Sequence, residues 1–305
     1  MRDLAFGDQL DLADLGFSDW LDRLAQVDSD DVFVEFLGKN HGAILQDHGA
    51  SLIVTFEKYA EIAQRQKKGH PLSWDIAGQI GWSSLTIVCD TFDWFRSPHV
   101  YAYFDRLVDE GTLDQYDRVI FLGVDETSHA AAVYSVVATV AEVVLIGPIA
   151  TQARDIANWD QRYPAARRLD FATRYAYGPD LVETAKKVTV IYNQNNPTEA
   201  MHATLYKSVS TEHVGMRLLS MPWRSLTSAQ FLSAALNLLT EDDAKVQLCK
   251  LMRARRENPD YLRSVLRMTI ARNRPDLTRK VCTYTLRKFP NAPHFKKALD
   301  DLDKI

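Results

Sequence analysis

Cysteine is scarce in this chain of 305 residues, which contains only Cys89, Cys249 and Cys282. The three residues lie far apart and form no CxxC pair. Disulfide-stapled domains and structural zinc sites need closely spaced cysteines, so the sequence argues against both. The same spacing fits a reducing compartment, and we expect a cytoplasmic protein without a bound metal.

Long apolar runs and an excess of charge are also missing. The longest apolar region, residues 130–148, is interrupted by Ser135, Thr139 and Glu142, so no stretch reaches the roughly 20 apolar residues of a membrane helix. The first residues are acidic and have no apolar core of signal-peptide length. The formal net charge of −4 gives no sign of a polyanionic partner. We therefore expect no membrane span and no nucleic-acid partner.

Short apolar runs alternate with amphipathic stretches through the first ~220 residues, a pattern typical of a mostly parallel sheet with flanking helices. The sequence therefore predicts an α/β fold. The predicted strands are Val32–Phe36 at an edge of the sheet, Ser51–Phe56, Ser84–Val88, Arg118–Leu122, Glu142–Ile146, Val188–Tyr192 and Val214–Leu219. Runs that are apolar at successive positions, VIFL and VVLI, favour central strands covered on both faces. Val100–Asp109 and Ser128–Thr139 are predicted helices.

The pattern changes near residue 225, after which the sequence carries no strand signal. Four or five helices are predicted there, separated by breaks that contain proline. They are Ala229–Leu239, Asp243–Arg255, Pro259–Ala271, Pro275–Lys288 and Ala292–Leu302. We expect an α/β domain over residues 1–225 and an all-α segment over residues 226–305.

The most informative stretch, residues 118–135, reads RVIFLGVDETSHAAAVYS. A buried strand ends at Gly123, a few residues bend, and an Ala-rich helix begins near Ser128. This is the layout of a nucleophile elbow, in which a strained turn lifts one side chain above the sheet. The first amide groups of the following helix can stabilise an anion at such a turn.

At this turn the sequence resembles the α/β-hydrolase superfamily, in particular members whose elbow reads G-x-S-x-G-G-Y-A-A. Gly123 matches the first glycine, and Ala130 and Ala131 match the two alanines. Asp125 stands where the serine would be, and His129 takes the tyrosine position. The resemblance implies an α/β-hydrolase-like domain, here followed by the helical segment.

The chain also resembles a group of alphaproteobacterial proteins of similar length, some of which carry the label phosphoadenosine phosphosulfate reductase. The shared segments are Val54–Glu57, Gly81–Ser83, Asp93–Arg96, Tyr103–Asp109, Trp159–Arg162, Arg168–Phe171 and Ala200–Ala203. That reductase needs a Gly-rich pyrophosphate loop of the SGGxDS type and a C-terminal nucleophilic cysteine. Neither is present, because Cys282 lies in a helical VCTYTL context, so the sequence argues against reductase activity.

Serine catalysis requires a nucleophile, a histidine base and an orienting acid, and all three positions implied by the hydrolase resemblance have changed. The serine is replaced by Asp125. The acid would follow the strand Val188–Tyr192, where the chain reads NQNN from residue 193. The histidine would follow the last strand, where the chain reads SMPWR from residue 220. We therefore expect no serine-hydrolase activity.

Asp125 has two interpretations. Aspartate can itself act as a nucleophile, and His202 lies near the carboxyl end of a strand, so the two residues are candidate catalytic groups. Glu199 and Asn195 are expected to converge with His202 at this edge of the sheet, where ligands of α/β proteins usually bind. Alternatively, Asp125 only caps the following helix by accepting from its free amides.

Polar and aromatic side chains near the strand ends form a candidate ligand-binding set. Its members are Phe56, Glu57, Asp93, Trp94, Arg96, Glu126, Ser128, His129, Asn193 and Asn195. Asp93 and Arg96 have the helical spacing of an ion pair, and Arg96 is also suited to binding a carboxylate or phosphate. The mixed-sign run over residues 159–170 is interpreted as a salt-bridged lid or surface.

Two hypotheses about function follow. The first is a catalytically degenerate α/β-hydrolase-like protein that binds a small molecule or a partner protein. The alternative is a hydrolase with a non-serine site that uses Asp125 and His202. Neither hypothesis calls for a cofactor.

Overall fold

A computed structural model describes residues 12, 14–27, 31–65, 69–218, 223, 229–237 and 244–303. Eight strands form one sheet: β1 Val32–Leu37, β2 His41–Gln46, β3 Ser51–Lys58, β4 Ser83–Cys89, β5 Arg118–Val124, β6 Ala141–Ile146, β7 Lys187–Asn193 and β8 Thr211–Met216. Their order across the sheet is β1-β2-β4-β3-β5-β6-β7-β8. β2 runs antiparallel to β1 and β4, and the other neighbouring strands are parallel.

Helices connect the strands and continue beyond them. Those of the described residues are α1 Phe17–Ala25, α2 Tyr59–Arg65, α3 Leu72–Ile80, α4 Pro98–Asp109, α5 Thr127–Tyr134, α6 Arg154–Ala157, α7 Gly178–Leu181, α8 Pro197–Leu205, α9 Ala229–Asn237, α10 Ala244–Leu251, α11 Pro259–Ala271, α12 Pro275–Lys288 and α13 Pro293–Asp303. The predicted mostly parallel sheet with flanking helices, followed by a helical segment, is confirmed.

The predicted strands are all present, with small differences at their ends. β5 lies inside the sheet between β3 and β6, as its apolar sequence predicts. The last strand runs from Thr211 to Met216 rather than from Val214 to Leu219; Arg217 and Leu218 lie beyond its end, and Leu219 lies outside the described residues. Only β2 has no counterpart among the predicted strands. Its sequence, HGAILQ, begins with His-Gly, and Gly42 is needed because a Cβ atom there would lie 2.6 Å from Cδ2 of Leu21.

Alternate side chains of the strands enter two apolar layers, one on each face of the sheet. Phe56 and Phe121 pack on one face with Phe104 of α4. Ile53 and Ile120 belong to the layer on the other face. Burying each large apolar side chain contributes about 1.5–3 kcal/mol, so the two layers hold the sheet and its helices together.

The C-terminal helices divide between this sheet and a cluster of their own. Phe231 of α9 and Leu248 of α10 join the second apolar layer of the sheet. The helices α11–α13 instead pack around Leu266, Cys282 and Phe295. The domain boundary at residues 225/226 stays a prediction. In the part of the chain that the structure describes, no helix has both the length and the apolarity to cross a membrane.

Candidate functional site

The predicted strand, bend and helix are present at residues 118–134. β5 ends at Val124, and Asp125 adopts a left-handed backbone conformation with φ +52° before α5 begins at Thr127. The Asp125 amide donates to the Ile146 carbonyl at 2.8 Å, and the Ser128 amide donates to the Asp125 carbonyl at 3.0 Å. Most L residues avoid this conformation, but aspartate tolerates it better than most. The turn therefore holds Asp125 at the tip of an elbow.

Gly123 makes this tight turn possible. A Cβ atom at Gly123 would lie 2.4 Å from Cα of Ser128 and 2.7 Å from the Thr127 carbonyl oxygen. Both atoms belong to the backbone of the elbow helix, so a side chain could fit only if α5 moved. The glycine brings α5 directly onto β5, as in the strand-to-helix turn of a hydrolase elbow. Together with the strand order, this turn defines the scaffold.

The chain has the α/β-hydrolase fold. On this fold the elbow lies at the carboxyl end of β5, on the side of the sheet where β6, β7 and β8 follow in order. The loops after β6 and β8 supply Gly147 and Trp223, and the last residue of β7 is Asn193. The chemistry available to Asp125 therefore depends on what these loops place beside it.

Trp223 occupies the loop where a hydrolase would carry its histidine. A Cβ atom at Gly147, whose φ is +63°, would lie 2.4 Å from Cδ1 of Trp223 and 2.8 Å from Oδ1 of Asp125. The indole ring and the elbow carboxylate thus meet over the same glycine. Trp223 is buried, and its Nε1 donates to Oε1 of Glu199 at 2.6 Å. An indole can donate a hydrogen bond but cannot accept a proton, so it cannot replace the histidine as a base.

Glu199 is a buried acid beside the elbow. Its Oε1 accepts from the Asn193 amide at 2.5 Å as well as from Trp223. Burial raises the pKa of Glu199 to about 7, and the charge of Asp125 adds to the shift. The two hydrogen bonds act in the opposite direction and are outweighed. Near neutral pH this carboxyl group therefore exists in both protonation states.

Asn193 and Asn195 serve the backbone at the end of β7. The side-chain oxygen of Asn193 accepts from the amides of Asn195 and Leu218, at 3.1 Å and 3.0 Å. The Asn195 side chain donates to the Leu218 carbonyl at 3.0 Å. These bonds tie the exit of β8 to the end of β7. Asn193, which stands where the hydrolase resemblance would place an acid, thus has a structural role here.

Glu126 and Ser128 are also engaged around the elbow. The Glu126 carboxylate lies 3.4 Å from Nζ of Lys58, which also contacts Glu61 at 3.3 Å. Lys58 is the last residue of β3, so this ion pair connects the end of that strand to the start of the elbow helix. The Ser128 hydroxyl donates to the Asp125 carbonyl at 2.6 Å and accepts from the Ile149 amide at 2.9 Å. The Ser128 hydroxyl therefore helps hold the turn closed.

His202 lies in a buried polar cluster with other partners. Its Nε2 donates to Asp160 at 2.9 Å, and its Nδ1 accepts from the Ala150 amide at 3.2 Å. Both ring nitrogens are thus occupied, which disfavours the predicted pairing of His202 with Asp125. Burial lowers the pKa of His202, although Asp160 acts in the opposite direction. The histidine is held neutral in the interior.

Asp160 organises this cluster. Its carboxylate accepts from His202, from the Gln152 side chain at 3.0 Å, and from the Arg162 guanidinium at 2.9 Å. Burial would raise the pKa of Asp160, but the hydrogen bonds from His202 and Arg162 outweigh it and hold the pKa well below its usual range. The run over residues 159–170 was interpreted from sequence as a surface or lid, yet Asp160 is completely buried. A salt bridge between Asp160 and Arg162 is present in this run, but Asp160 lies in the interior rather than at the surface.

His129, Trp94 and Arg96 form a packed aromatic region. His129 donates from Nδ1 to the Ala150 carbonyl at 3.3 Å, and burial lowers its pKa to about 3. The Trp94 ring meets His129 and Phe171 edge-on at 6.0 Å and 5.7 Å between centroids. The Arg96 guanidinium lies 4.7 Å from the Phe171 ring centroid. These contacts describe packing around a neutral histidine.

The predicted ion pair between Asp93 and Arg96 is wrong, because each side chain has other partners. Asp93 lies 2.9 Å from Nε2 of His41 and accepts from the Phe95 amide at 3.0 Å. Arg96 donates to the carbonyls of Arg174 and Tyr175. The backbone explains the difference, because Trp94 and Phe95 have φ of +64° and +57° and are not helical.

Phe56 and Glu57, near the end of β3, make packing and helix-capping contacts within the protein. Phe56 packs against Phe95 and Tyr134, with ring centroids 5.1 Å and 5.3 Å apart. Glu57 accepts from the amides of Leu72 and Ser73 at 3.0 Å and 3.1 Å, and so caps the start of α3. A carboxylate at a helix start is favoured by the free amides there. Ligand binding by these two residues stays a prediction.

The elbow surroundings contain residues that sequence reasoning did not select. Lys58 is the residue directly after the VTFE run, and Trp223 was noted only as part of the SMPWR loop. Tyr163 is another, since Glu126 and Asp125 add to the effect of burial in raising its pKa. Lys58 ends β3, and the other two residues come from separate loops, so only the folded sheet brings the three to one edge.

Among solved structures, this chain is similar to several esterases at low sequence identity. A thermostable carboxylesterase cloned from a metagenomic library is 11% identical, with 77% of this chain and 93% of that chain covered and a TM-score of 0.42. A Pyrobaculum calidifontis esterase is 12% identical, with coverage of 77% and 87% and a TM-score of 0.42. Carboxyl esterase 2 from the fungus Tuber melanosporum is 13% identical, with coverage of 74% and 87% and a TM-score of 0.42. Protein-family models and curated proteins give no match. The strand order and the elbow, rather than these superpositions, define the fold.

Proposed function

We propose that this chain is a catalytically degenerate α/β-hydrolase-fold protein that acts as a binding module. The observation that carries the proposal is the contact of Trp223 with Glu199 beside Asp125. In a serine hydrolase this space must hold a histidine that takes the proton of the nucleophile. Here the buried indole of Trp223 fills this space, and its single N–H donates to the buried acid Glu199.

The other positions around the elbow support the same proposal. Asp125 replaces the nucleophilic hydroxyl, and Asn193 replaces the orienting acid. Asn193 is committed to backbone amides of the β7 and β8 exits. The first residue after the elbow, Glu126, forms an ion pair with Lys58. A carboxylate next to the elbow amides opposes the negative charge that builds up in acyl transfer.

A direct test combines covalent labelling with turnover. The purified protein is treated with a fluorophosphonate probe and assayed on a panel of p-nitrophenyl esters and alkyl halides. We expect no label and no turnover above that of Asp125→Asn, because neither protein has a hydroxyl nucleophile with a base. Turnover by the wild type that disappears in Asp125→Asn would overturn the proposal.

One observation favours the alternative of a non-serine hydrolase. Asp125 has the backbone conformation of an elbow nucleophile, and Glu199 has a pKa of about 7 in its vicinity. In such an enzyme the Asp125 carboxylate would displace halide ion from the alkyl carbon of a halide to form an aspartyl ester, or the alkoxide from the acyl carbon of an ester to form a mixed anhydride. Glu199, rather than His202, would then take a proton from the water that cleaves it. This alternative predicts a rate that rises through about pH 7 and is lost in Glu199→Gln.

The binding module is proposed to reside in the cytoplasm. Cys89, Cys249 and Cys282 are all free thiols, and Cys249 is exposed. Free and exposed thiols are typical of a reducing compartment.

A further inference from the structure

Charge is distributed very unevenly along the chain. Residues 244–303 contain 15 Lys and Arg against 6 Asp and Glu, a net charge of +9, whereas the rest of the chain carries −13. The overall value of −4 hides this contrast. A strong charge asymmetry between two parts of a chain is typical of an interaction surface in one of them.

The basic part contains a groove between α11, α12 and α13. The groove has a volume of about 1110 Å³. Its apolar lining includes Leu266 and Ile270 of α11 and Ala298 and Leu302 of α13. Ile270 is 55% exposed, although its neighbours on α11 form the core of the three helices. An apolar floor open to solvent is the kind of surface that receives apolar anchor residues of a bound segment.

Cations surround this floor, and they fall into two groups. Arg263 pairs with Asp260 at 2.6 Å, and Arg279 pairs with Asp303 at 2.5 Å. Arg267, Arg274 and Lys297 are exposed lining residues.

These last three cations have no carboxylate within ion-pair distance among the described residues; Arg267 reaches only the hydroxyl of Ser264, at 3.0 Å. They can gain charge-assisted hydrogen bonds from a partner without breaking an existing pair.

We propose that the groove between α11, α12 and α13 binds a short acidic, amphipathic segment of a partner protein. Apolar side chains of the segment would rest on Ile270 and Leu302, and its carboxylates would meet Arg267, Arg274 and Lys297. This is the recognition of an amphipathic helix by an apolar groove, with charge complementarity at the rim. The inference goes beyond the proposed function, since it holds whether or not the elbow is catalytic.

The groove suits a peptide better than a nucleic acid. Asp260, Asp276 and Asp301 also line it, and their carboxylates repel a continuous phosphate backbone. Its lining contains no Phe, Tyr or Trp on which a base could stack. A segment with separated acidic residues can avoid the three carboxylates, whereas a polymer with a charge at every unit cannot.

The test is a selection of randomised 16-residue peptides displayed on phage against the full-length protein. We expect enriched peptides to carry apolar residues at helical spacing and an excess of Asp and Glu. The affinity of an enriched peptide, labelled with fluorescein, is then measured by fluorescence anisotropy. The triple variant Arg267→Glu, Arg274→Glu, Lys297→Glu should weaken its binding by at least about tenfold.

A matched control changes the same charge outside the groove. Arg272, Lys280 and Arg287 are exposed, and none of them lines the groove. Their triple substitution by Glu should alter peptide affinity by less than about twofold, because long-range charge effects are screened by salt. Circular dichroism melting of both triple variants checks that the helices remain folded.

Four results would overturn the proposal. One is a selection that enriches no peptide or enriches peptides without acidic residues. Another is an equal loss of affinity in the groove and control variants. The third is groove-dependent binding of a labelled oligouridylate in place of the peptide, which would indicate a nucleic-acid site. The last is a dimer in light scattering that dissociates only in the groove variant, which would make a second copy of this chain the occupant.

Discussion

The elbow region and the C-terminal groove differ in whether their charged side chains are buried and paired within the protein. Around the elbow, Asp160 and Glu199 are buried and accept hydrogen bonds from protein donors. In the groove, Arg267 and Lys297 are exposed and have no carboxylate partner among the described residues. A polar group already bonded within the protein stabilises the fold, whereas an unpaired one can gain energy from a ligand. The comparison indicates that substitutions near the elbow cost stability and substitutions in the groove cost binding.

The largest effect on stability is expected at Asp160. Asp160→Ala should lower the free energy of unfolding by about 3–5 kcal/mol, because it leaves the buried His202 and the more exposed Arg162 without their shared buried acceptor. Urea unfolding at pH 7.5 measures the change. Asp155→Ala, at an exposed acid of α6, is the control and should cost less than about 0.5 kcal/mol. Equal costs for the two variants would mean that the buried cluster does not hold this region.

A smaller effect is expected at the glycine of the elbow. Gly123→Ala should lower the free energy of unfolding by about 3 kcal/mol, because the new methyl group meets the backbone of α5. Gly78→Ala in α3 is the matched comparison. Nothing lies within 4 Å of its new Cβ atom, and alanine favours a helix, so it should stabilise by up to about 1 kcal/mol. Thermal unfolding compares the two, and a neutral Gly123→Ala would contradict the described elbow.

An effect of intermediate size on the free energy of unfolding, one that depends on pH, is expected at Glu199. Its pKa of about 7 in the folded protein exceeds that of an unfolded chain, so the folded state binds the proton more tightly. Wild-type stability therefore falls as pH rises from about 4.5 through 7. Glutamine cannot ionise, and its carbonyl can still accept from Asn193 and Trp223. Glu199→Gln should gain about 2 kcal/mol relative to the wild type between pH 5 and pH 8.

This pH effect needs a control at an exposed acid. Glu183→Gln, at an exposed position, should follow the wild type at every pH, since the carboxyl is in water in both states. Comparing variants with the wild type also cancels the contributions of the buried histidines. Parallel curves for Glu199→Gln and the wild type would contradict the raised pKa.

The smallest change in stability is expected in the groove. Arg267→Ala and Arg274→Ala should each alter the free energy of unfolding by less than about 0.5 kcal/mol, because each side chain is exposed and has no ion pair in the described structure. Urea unfolding under the same conditions measures this. A loss comparable to that of Asp160→Ala would remove the contrast between the two regions.

The sheet could be predicted because its strands are continuous apolar runs. Arg118–Leu122 and Glu142–Ile146 are buried on both faces, and their sequences reflect it. β2 was not predicted, because it forms an antiparallel hairpin with β1 and its His41-Gly42 start resembles a turn. Helices α11–α13 were predicted to within one residue, since prolines stand at their first turns. The helix predicted over Asp243–Arg255 is α-helical only from Ala244 to Leu251, and the predicted ends Leu239 and Asp243 lie outside the described residues.

The elbow itself could be predicted because the whole motif lies within one short stretch of sequence. Its surroundings could not, because Glu199 comes from α8 and Trp223 from the loop after β8, and they meet Asp125 only at the edge of the folded sheet. Asp160 illustrates the same limit. In sequence it belongs to a charged run that reads as surface, and only the partner His202, 42 residues away, explains its burial.

The central claim is that Asp125 does not act as a nucleophile. The most direct measurement incubates the protein with the ester and halide panel in H₂¹⁸O and determines the mass of the peptide that contains Asp125. An aspartyl ester cleaved by water would carry ¹⁸O into the Asp125 carboxylate. We predict an unchanged mass after prolonged incubation. A mass increase of this peptide that is absent in Asp125→Asn would contradict the account.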